Sequence, residues 1–170
     1  MQPLFVLTGA SGTGKSTIGL TLVQVPEIVA LEVDIFWRQE FARPENDYYD
    51  FRNLCLRVAK NIQQNGKPVI LCGSSTPGQY EACVQARYFS RIHYLALVCD
   101  NDVLEQRLTA RPAWRDSGKA EFIEAMLAYN QWFKDNTHHT NYNLTLLDTT
   151  NLSIDESVEH IRNWYTARLS

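Results

Sequence analysis

The sequence has no apolar run approaching the ~20 residues that a membrane-spanning helix requires. It has no basic segment near Met1 either, and a strand-like run begins at Leu4, so no secretory leader is visible. Positive charge is not in excess: 16 Lys and Arg stand against 19 Asp and Glu, a formal net charge of −3. That balance argues against gripping duplex nucleic acid, so neither nucleic acid nor membrane is expected as a partner. Cysteine is sparse. Cys55, Cys72, Cys83 and Cys99 are widely spaced with no C-x-x-C pair, which fits buried, reduced thiols in a cytoplasmic protein. His138-His139 resembles metal-ligand material but lacks a suitably spaced carboxylate or thiolate, and reads as exposed loop. No repeat, linker or low-complexity stretch interrupts the chain.

What is present is an ordinary globular composition, 45% hydrophobic and 21% charged, over 170 residues. One domain covering residues 1–170 is expected. Strand-like runs fall at Leu4–Thr8, Ile28–Val33, Pro68–Cys72, Ile92–Cys99 and Asn143–Thr149. Between them lie helical stretches. One starts near Lys15, and a second places Tyr48, Phe51, Cys55, Val58 and Ile62 at spacings of three and four before Gly66. Asp100 or Asn101 would cap a helix, Lys119–Asp135 forms another with Phe122, Tyr129, Trp132 and Phe133 on its core face, and Ser153-x-x-Glu156 is a capping box. The last helix lines up Ile154, Val158, Ile161 and Tyr165. Alternation of this kind predicts an α/β fold with a parallel sheet covered on both faces.

The densest signal follows the first strand. Gly9-x-x-x-x-Gly14-Lys15-Ser16 matches the phosphate-binding pattern G-x-x-x-x-G-K-[ST] in its required context of strand before and helix after. Glycines let successive N–H groups turn inward around a phosphate, and the helix adds the positive end of its dipole. Gly9, Ala10, Ser11, Gly12, Thr13, Gly14, Lys15, Ser16 and Thr17 are therefore the expected nucleotide cradle, with Lys15 reaching the β- and γ-phosphates and Ser16 ligating Mg²⁺. A dinucleotide fingerprint is excluded, because the glycine order is not G-x-G-x-x-G.

Ligands of open α/β sheets sit at the carboxyl ends of the strands. Asp34 follows the second strand, where a carboxylate can take the proton of an acceptor hydroxyl or hold metal-bound water. Trp37 and Arg38 nearby, with Phe36 and Phe41, suit either a pocket for a flat substrate or a local apolar cluster. After the third strand, Gly73 allows close backbone approach and Ser74 offers a hydroxyl, while Thr76-Pro77 fits a helix N-cap turn. Arg107 and Arg111 lie four apart on one helical face, Pro112 ends that helix, and Arg115 follows. Residues 111–120 are then a candidate lid bringing arginines to a migrating phosphoryl group.

With the phosphate loop, Asp34, these arginines and "DTTNLS" in place, the chain resembles the nucleoside/nucleotide-kinase-like branch of the P-loop kinases. It is similar end to end to small bacterial proteins labelled AAA-family ATPases or nucleoside kinases, and shikimate, gluconate and adenylate kinases and chloramphenicol phosphotransferase share the layout. The resemblance implies a three-layer fold with strand order 2-3-1-4-5. It implies that Asp34 binds or activates the acceptor, that Arg107 and Arg111 lie near adenine and phosphates, and that Arg115 acts from the lid. It also places the Asp148–Asn151 loop, with Thr150 and Asn151, along the adenine. Two departures stand out. The arginine that adenylate kinases carry after the third strand is replaced by Gly73-Ser74-Ser75-Thr76-Pro77, and no apolar strand ends in a strict Walker B aspartate. Metal would then rest on Ser16, Asp34 and water.

The expected activity is transfer of the γ-phosphoryl of MgATP to a hydroxyl of a small molecule, by a monomer or homodimer. Catalysis would fall to Lys15, Asp34, Arg111 and Arg115, with Asp34, Trp37, Arg38, Gly73 and Ser74 around the acceptor. Aromatic walls rank a nucleoside-like acceptor first, and an inward arginine among Arg38, Arg43 and Arg52 leaves room for a nucleotide. Gluconate-, shikimate- or antibiotic-type acceptors are the alternatives, as is an ATP-binding switch with no acceptor.

Overall fold

Apolar runs without alternation become strands buried on both sides. β1 (Leu4–Gly9), β3 (Val69–Cys72) and β4 (Ile92–Val98) form the centre, and β2 (Val29–Glu32) and β5 (Asn143–Asp148) the edges. The computed structural model describes residues 1–138 and 141–169. All strand pairs are parallel, in the order β2-β3-β1-β4-β5, with Leu7 beside Cys72 on one flank and Leu95 on the other.

Alternate residues of the same strands feed two cores. Leu4, Val6, Val69, Leu71 and Tyr94 point to Phe51, Cys55, Leu56 and Ala59 of α2 (Tyr49–Gln63) and to Tyr80 of α3 (Pro77–Glu81). Phe5, Leu7, Ile70, Leu95 and Leu97 point the other way. They meet Ile18 and Leu22 of α1 (Lys15–Leu22) and Val158, Ile161 and Trp164 of α6 (Ile154–Thr166). Helices thus cover both faces, giving the three-layer α/β architecture that parallel strands need. A third cluster joins α4 (Asn101–Thr109) to α5 (Ala120–Asp135) through Leu104, Leu108, Ile123 and Met126. Asn130 of α5 pairs its whole side-chain amide with the backbone of Cys99, fixing that helix to the end of β4.

Several sequence expectations change. The buried stripe of α2 runs through Leu56 and Ala59, with Val58 half-buried. Asp100 occupies the N-cap position of α4 but makes no side-chain cap. The capping box at Ser153 and Glu156 forms in both directions. Phe122 and Ile154 are exposed, unlike their helical neighbours Phe133 and Val158. His138 is an exposed turn residue and His139 lies outside the described residues. All four cysteines are buried and free, and burial pushes the Cys55 and Cys72 thiols up to about 12.

Candidate active site

The phosphate loop leaves β1 with positive φ at Gly9, Gly12 and Gly14, a conformation closed to most L-residues. At Gly12 a Cβ would also stand 2.7 Å from Leu104 Cδ1, so packing of α4 demands glycine as much as the turn does. Lys15 folds back over the loop and donates from Nζ to the carbonyls of Gly9 and Ala10, both at 2.8 Å. Burial lowers its pKa to about 8, against the opposing pull of Asp34, with Arg111 adding to the fall. Ser16 and Thr17 are exposed at the head of α1.

A cavity of about 350 Å³ opens over the loop, lined by Gly12, Lys15, Ser16, Glu32, Asp34, Gly73, Ser74, Arg111 and Arg115 among others. It brings together most of the expected residues. Arg111 lies two residues beyond the end of α4, not on its face, because the chain leaves the helix before Pro112. From there its Nη1 donates to Ser11 Oγ at 3.1 Å, tying the segment after α4 to the loop. Residues 111–120 form a short 3-10 turn at Ala113–Arg115 and a return anchored by buried Ser117, whose hydroxyl donates to Leu108 O. Trp114 at the tip is 76% exposed, with the Arg115 guanidinium 5.1 Å from its ring centroid.

Asp34 sits in a 3-10 turn directly after β2. Partial desolvation raises its carboxyl above the ordinary range and Glu32 raises it further, while Lys15 pulls it down. Sequence reasoning missed Glu32, the last residue of β2, which lines the same cavity as Asp34. The oxygens of Ser16, Glu32 and Asp34 suit a hard divalent cation. Among the described residues no three His, Cys, Asp or Glu cluster to hold one. A metal there would draw its remaining ligands from phosphate and water, as Mg²⁺ does.

Asp34 and Ser74 also line a second cavity, of about 400 Å³, walled by Val33, Trp37, Tyr48, Phe51, Arg52, Gln79 and Tyr129. Trp37 packs edge-on against Phe51 at 5.0 Å and is 47% exposed. Arg38 does not line it; that side chain is exposed, and Nη1 donates to the carbonyl of Trp37. The inward arginine is Arg52, 5% exposed. Its Nη2 is 2.9 Å from Asp47 Oδ2, and its Nε is buried without a partner. Asp47 also accepts from Gln79 Nε2, and both Asp47 and Tyr48 hold left-handed backbone. Packing requires glycine at position 73: a Cβ there would meet Val33 Cγ2 at 2.2 Å. Ser74 Oγ donates to Gly9 O at 3.1 Å, joining the turn after β3 to the loop.

On the far side of the loop a slot of about 310 Å³ is lined by Ile18, Arg107, Thr149, Leu152, Ile154 and Ser157. Arg107 Nη2 donates to Thr149 O at 3.1 Å, and Thr149 Oγ1 donates to Thr13 O. Thr150 and Asn151 do not line this slot. Thr150 Oγ1 instead donates to Asp148 and accepts from the Asp100 N–H. Their neighbours Thr149, Leu152 and Ile154 supply the walls, which also accounts for the exposure of Ile154.

No curated protein matches this sequence. Among solved structures, the chain is similar to an unliganded sugar kinase from Janibacter sp. HTCC2649, with TM-score 0.70, 18% identity and coverage of 98% of this chain and 95% of that one. It is also similar to a gluconokinase from Sinorhizobium meliloti 1021, with TM-score 0.61, 17% identity and coverage of 98% and 97%. A deoxyadenosine kinase from M. mycoides with bound dATP gives TM-score 0.57, 14% identity and coverage of 95% and 98%. These likenesses establish the fold. The sequence profile of the AAA domain family matches residues 4–134, and the chain therefore belongs to that family.

Proposed function

We propose that the protein is a kinase that transfers the γ-phosphoryl group of ATP to a hydroxyl of a small, uncharged, ring-bearing acceptor of the nucleoside class. One observation carries this reading: the cavity over the phosphate loop and the aromatic cavity beside it share Asp34 and Ser74. A donor phosphate in the first and a hydroxyl from the second would meet at that carboxylate. Solved structures with this fold include kinases of a sugar, of gluconate and of deoxyadenosine, which supports a phosphoryl acceptor of small-molecule size.

The residues divide the work. The loop N–H groups and Lys15 hold the β- and γ-phosphates, and the slot between Ile18, Leu152 and Ile154 takes the adenine. Magnesium, held through Ser16 with Glu32 and Asp34 nearby, would supply charge neutralisation on the phosphates. Asp34 accepts the acceptor's hydroxyl proton as the new O–P bond forms and the bond from the γ-phosphorus to its bridging oxygen breaks, leaving ADP. Its raised pKa suits that task, because a base titrating nearer the working pH is more effective. Arg111 and Arg115 face the same cavity and would take up charge on the migrating group.

The class of acceptor follows from how the arginines are engaged. Arg38 binds a backbone carbonyl, Arg43 pairs with Asp50, and Arg52 pairs with Asp47. A carboxylate or phosphate on the acceptor would have to displace one of these partners and would face Asp34 and Asp47 besides. A neutral ring finds Trp37, Tyr48 and Phe51 as walls and the Arg52 Nε–H as a buried donor without a partner.

The test is a screen of ATP consumption against nucleosides, sugars, gluconate and shikimate, followed by Asp34→Asn on any hit. The substitution should lower kcat by about 10²–10⁴ with nucleotide affinity kept, the size expected for losing a general base. Unchanged kcat, or no acceptor among neutral ring-bearing alcohols, defeats the proposal.

A further inference from the structure

The carboxyl ends of the strands hold the candidate site, but the opposite ends carry a basic groove that phosphoryl transfer does not use. Two adjoining clefts, of about 450 and 580 Å³, share Arg91, His93 and Arg168. Arg91 precedes β4, His93 is its second residue, and Arg168 follows α6. At roughly 3.3 Å per residue, His93 lies on the order of 16 Å from the far end of β4, where the loop cavity begins.

In a chain of net charge −3, no carboxylate side chain lines either cleft. Neither Arg91 nor Arg168 forms an ion pair among the described residues. Arg168 is nevertheless held in place. Its Nη1 donates to Trp164 O at 3.0 Å, Nη2 reaches Thr145 Oγ1 at 3.4 Å, and its guanidinium lies 5.4 Å from the centroid of the Trp164 ring. His93 is equally fixed, stacked on Phe5 with centroids 5.5 Å apart. Burial lowers its pKa and Arg168 and Arg91 lower it further, so the imidazole is neutral at neutral pH. Its Nδ1 is buried with no hydrogen-bond partner, and so is Gln2 Oε1 in the same groove.

Two guanidinium groups that face one groove with no carboxylate partner among the described residues mark a place where an anion completes the structure. We propose that this groove binds a phosphate group, either free phosphate or the monoester of a small metabolite. Two arginines match a dianion, whereas a carboxylate neutralises one charge. Tetrahedral oxygens accept from both guanidinium forks and from the His93 ring N–H.

The phosphate loop also takes phosphate, so the measurement must separate the two sites. The imidazole ¹⁵N resonances of His93, assigned by their loss in His93→Gln, are followed during titration with inorganic phosphate and, separately, with glycerol 3-phosphate. Both titrations are run on protein saturated with Mg²⁺ and a non-hydrolysable ATP analogue, and again on Lys15→Ala. A saturable shift is expected in both backgrounds, weakened about tenfold by Arg91→Gln, which alters an exposed side chain and spares the fold. Tighter binding of glycerol 3-phosphate assigns the monoester as ligand; tighter binding of phosphate assigns the free ion. Resonances that do not move, that move equally with sodium chloride at matched ionic strength, or that respond unchanged in the Arg91→Gln, Arg168→Gln double variant overturn the site.

Discussion

Lys15 is the residue on which the nucleotide reading can be tested without knowing the acceptor. Its ammonium has exchanged water for two loop carbonyls and lies near Arg111, and its pKa falls to about 8. Bound phosphates add negative charge at close range and raise it again. The sign then follows. The favourable charge is fully present below about pH 8 and is lost as pH rises from there toward the higher value of the complex. Nucleotide affinity should therefore decline through that window, and binding near pH 8 should take up a fraction of a proton. Calorimetric titration in two buffers of different ionisation enthalpy reads this directly, with Lys15→Ala as the reference. Equal heats in both buffers would mean that Lys15 does not meet the phosphates.

The start of α2 decides what the acceptor pocket admits. Asp47 and Tyr48 hold consecutive left-handed backbone, uncommon for residues other than glycine, and this presents the Asp47 carboxylate to buried Arg52 and to Gln79 of α3. Asp47→Asn keeps a hydrogen-bonding shape but leaves the Arg52 charge uncompensated. The variant should lose about 1–3 kcal/mol of stability, as buried charges do when their partner is removed from a partly exposed pair. Its acceptor preference should move toward anionic alcohols such as gluconate, measured as a ratio of kcat/KM values against a neutral nucleoside. An unchanged ratio would show that the pair is structural alone. This element also marks how far the sequence could be read. Apolar runs located all five strands, most clearly the three central ones that neighbours in the sheet bury, and the phosphate loop was legible because its chemistry is consecutive. The gathering of Asp47, Arg52, Gln79 and Tyr129 was not, since the turn before α2 and three separate helices deliver them to one cavity. Arg38 misled because proximity to Asp34 in sequence says nothing about which way a side chain turns after a 3-10 turn. Thr150 and Asn151 stand one or two positions from the residues that line the slot, because Thr150 is drawn into the turn with Asp148.

At the scale of the whole molecule, two cavities border the phosphate loop and a third adjoins the first through Asp34 and Ser74, and ligands in them should stabilise the fold together. A ligand at a hundredfold excess over its Kd adds about 2.7 kcal/mol to unfolding. For a domain of this size each kcal/mol moves Tm by roughly 2–4 °C, so saturating Mg²⁺ with a non-hydrolysable ATP analogue should raise Tm by about 5–10 °C. Lys15→Ala should lose most of that rise. The acceptor cavity opens onto the loop cavity through Asp34 and Ser74, so a cognate acceptor would pack against a γ-phosphate that the analogue supplies. A neutral nucleoside should therefore add a further shift that is larger with the analogue present than without it, and gluconate should add none. Linkage makes the comparison reciprocal: the acceptor must tighten the analogue by the same factor. A nucleotide-dependent shift with gluconate and none with nucleosides would reverse the acceptor class. A shift with the analogue that no acceptor extends would describe an ATP-binding switch, in which Asp34 has no hydroxyl to serve.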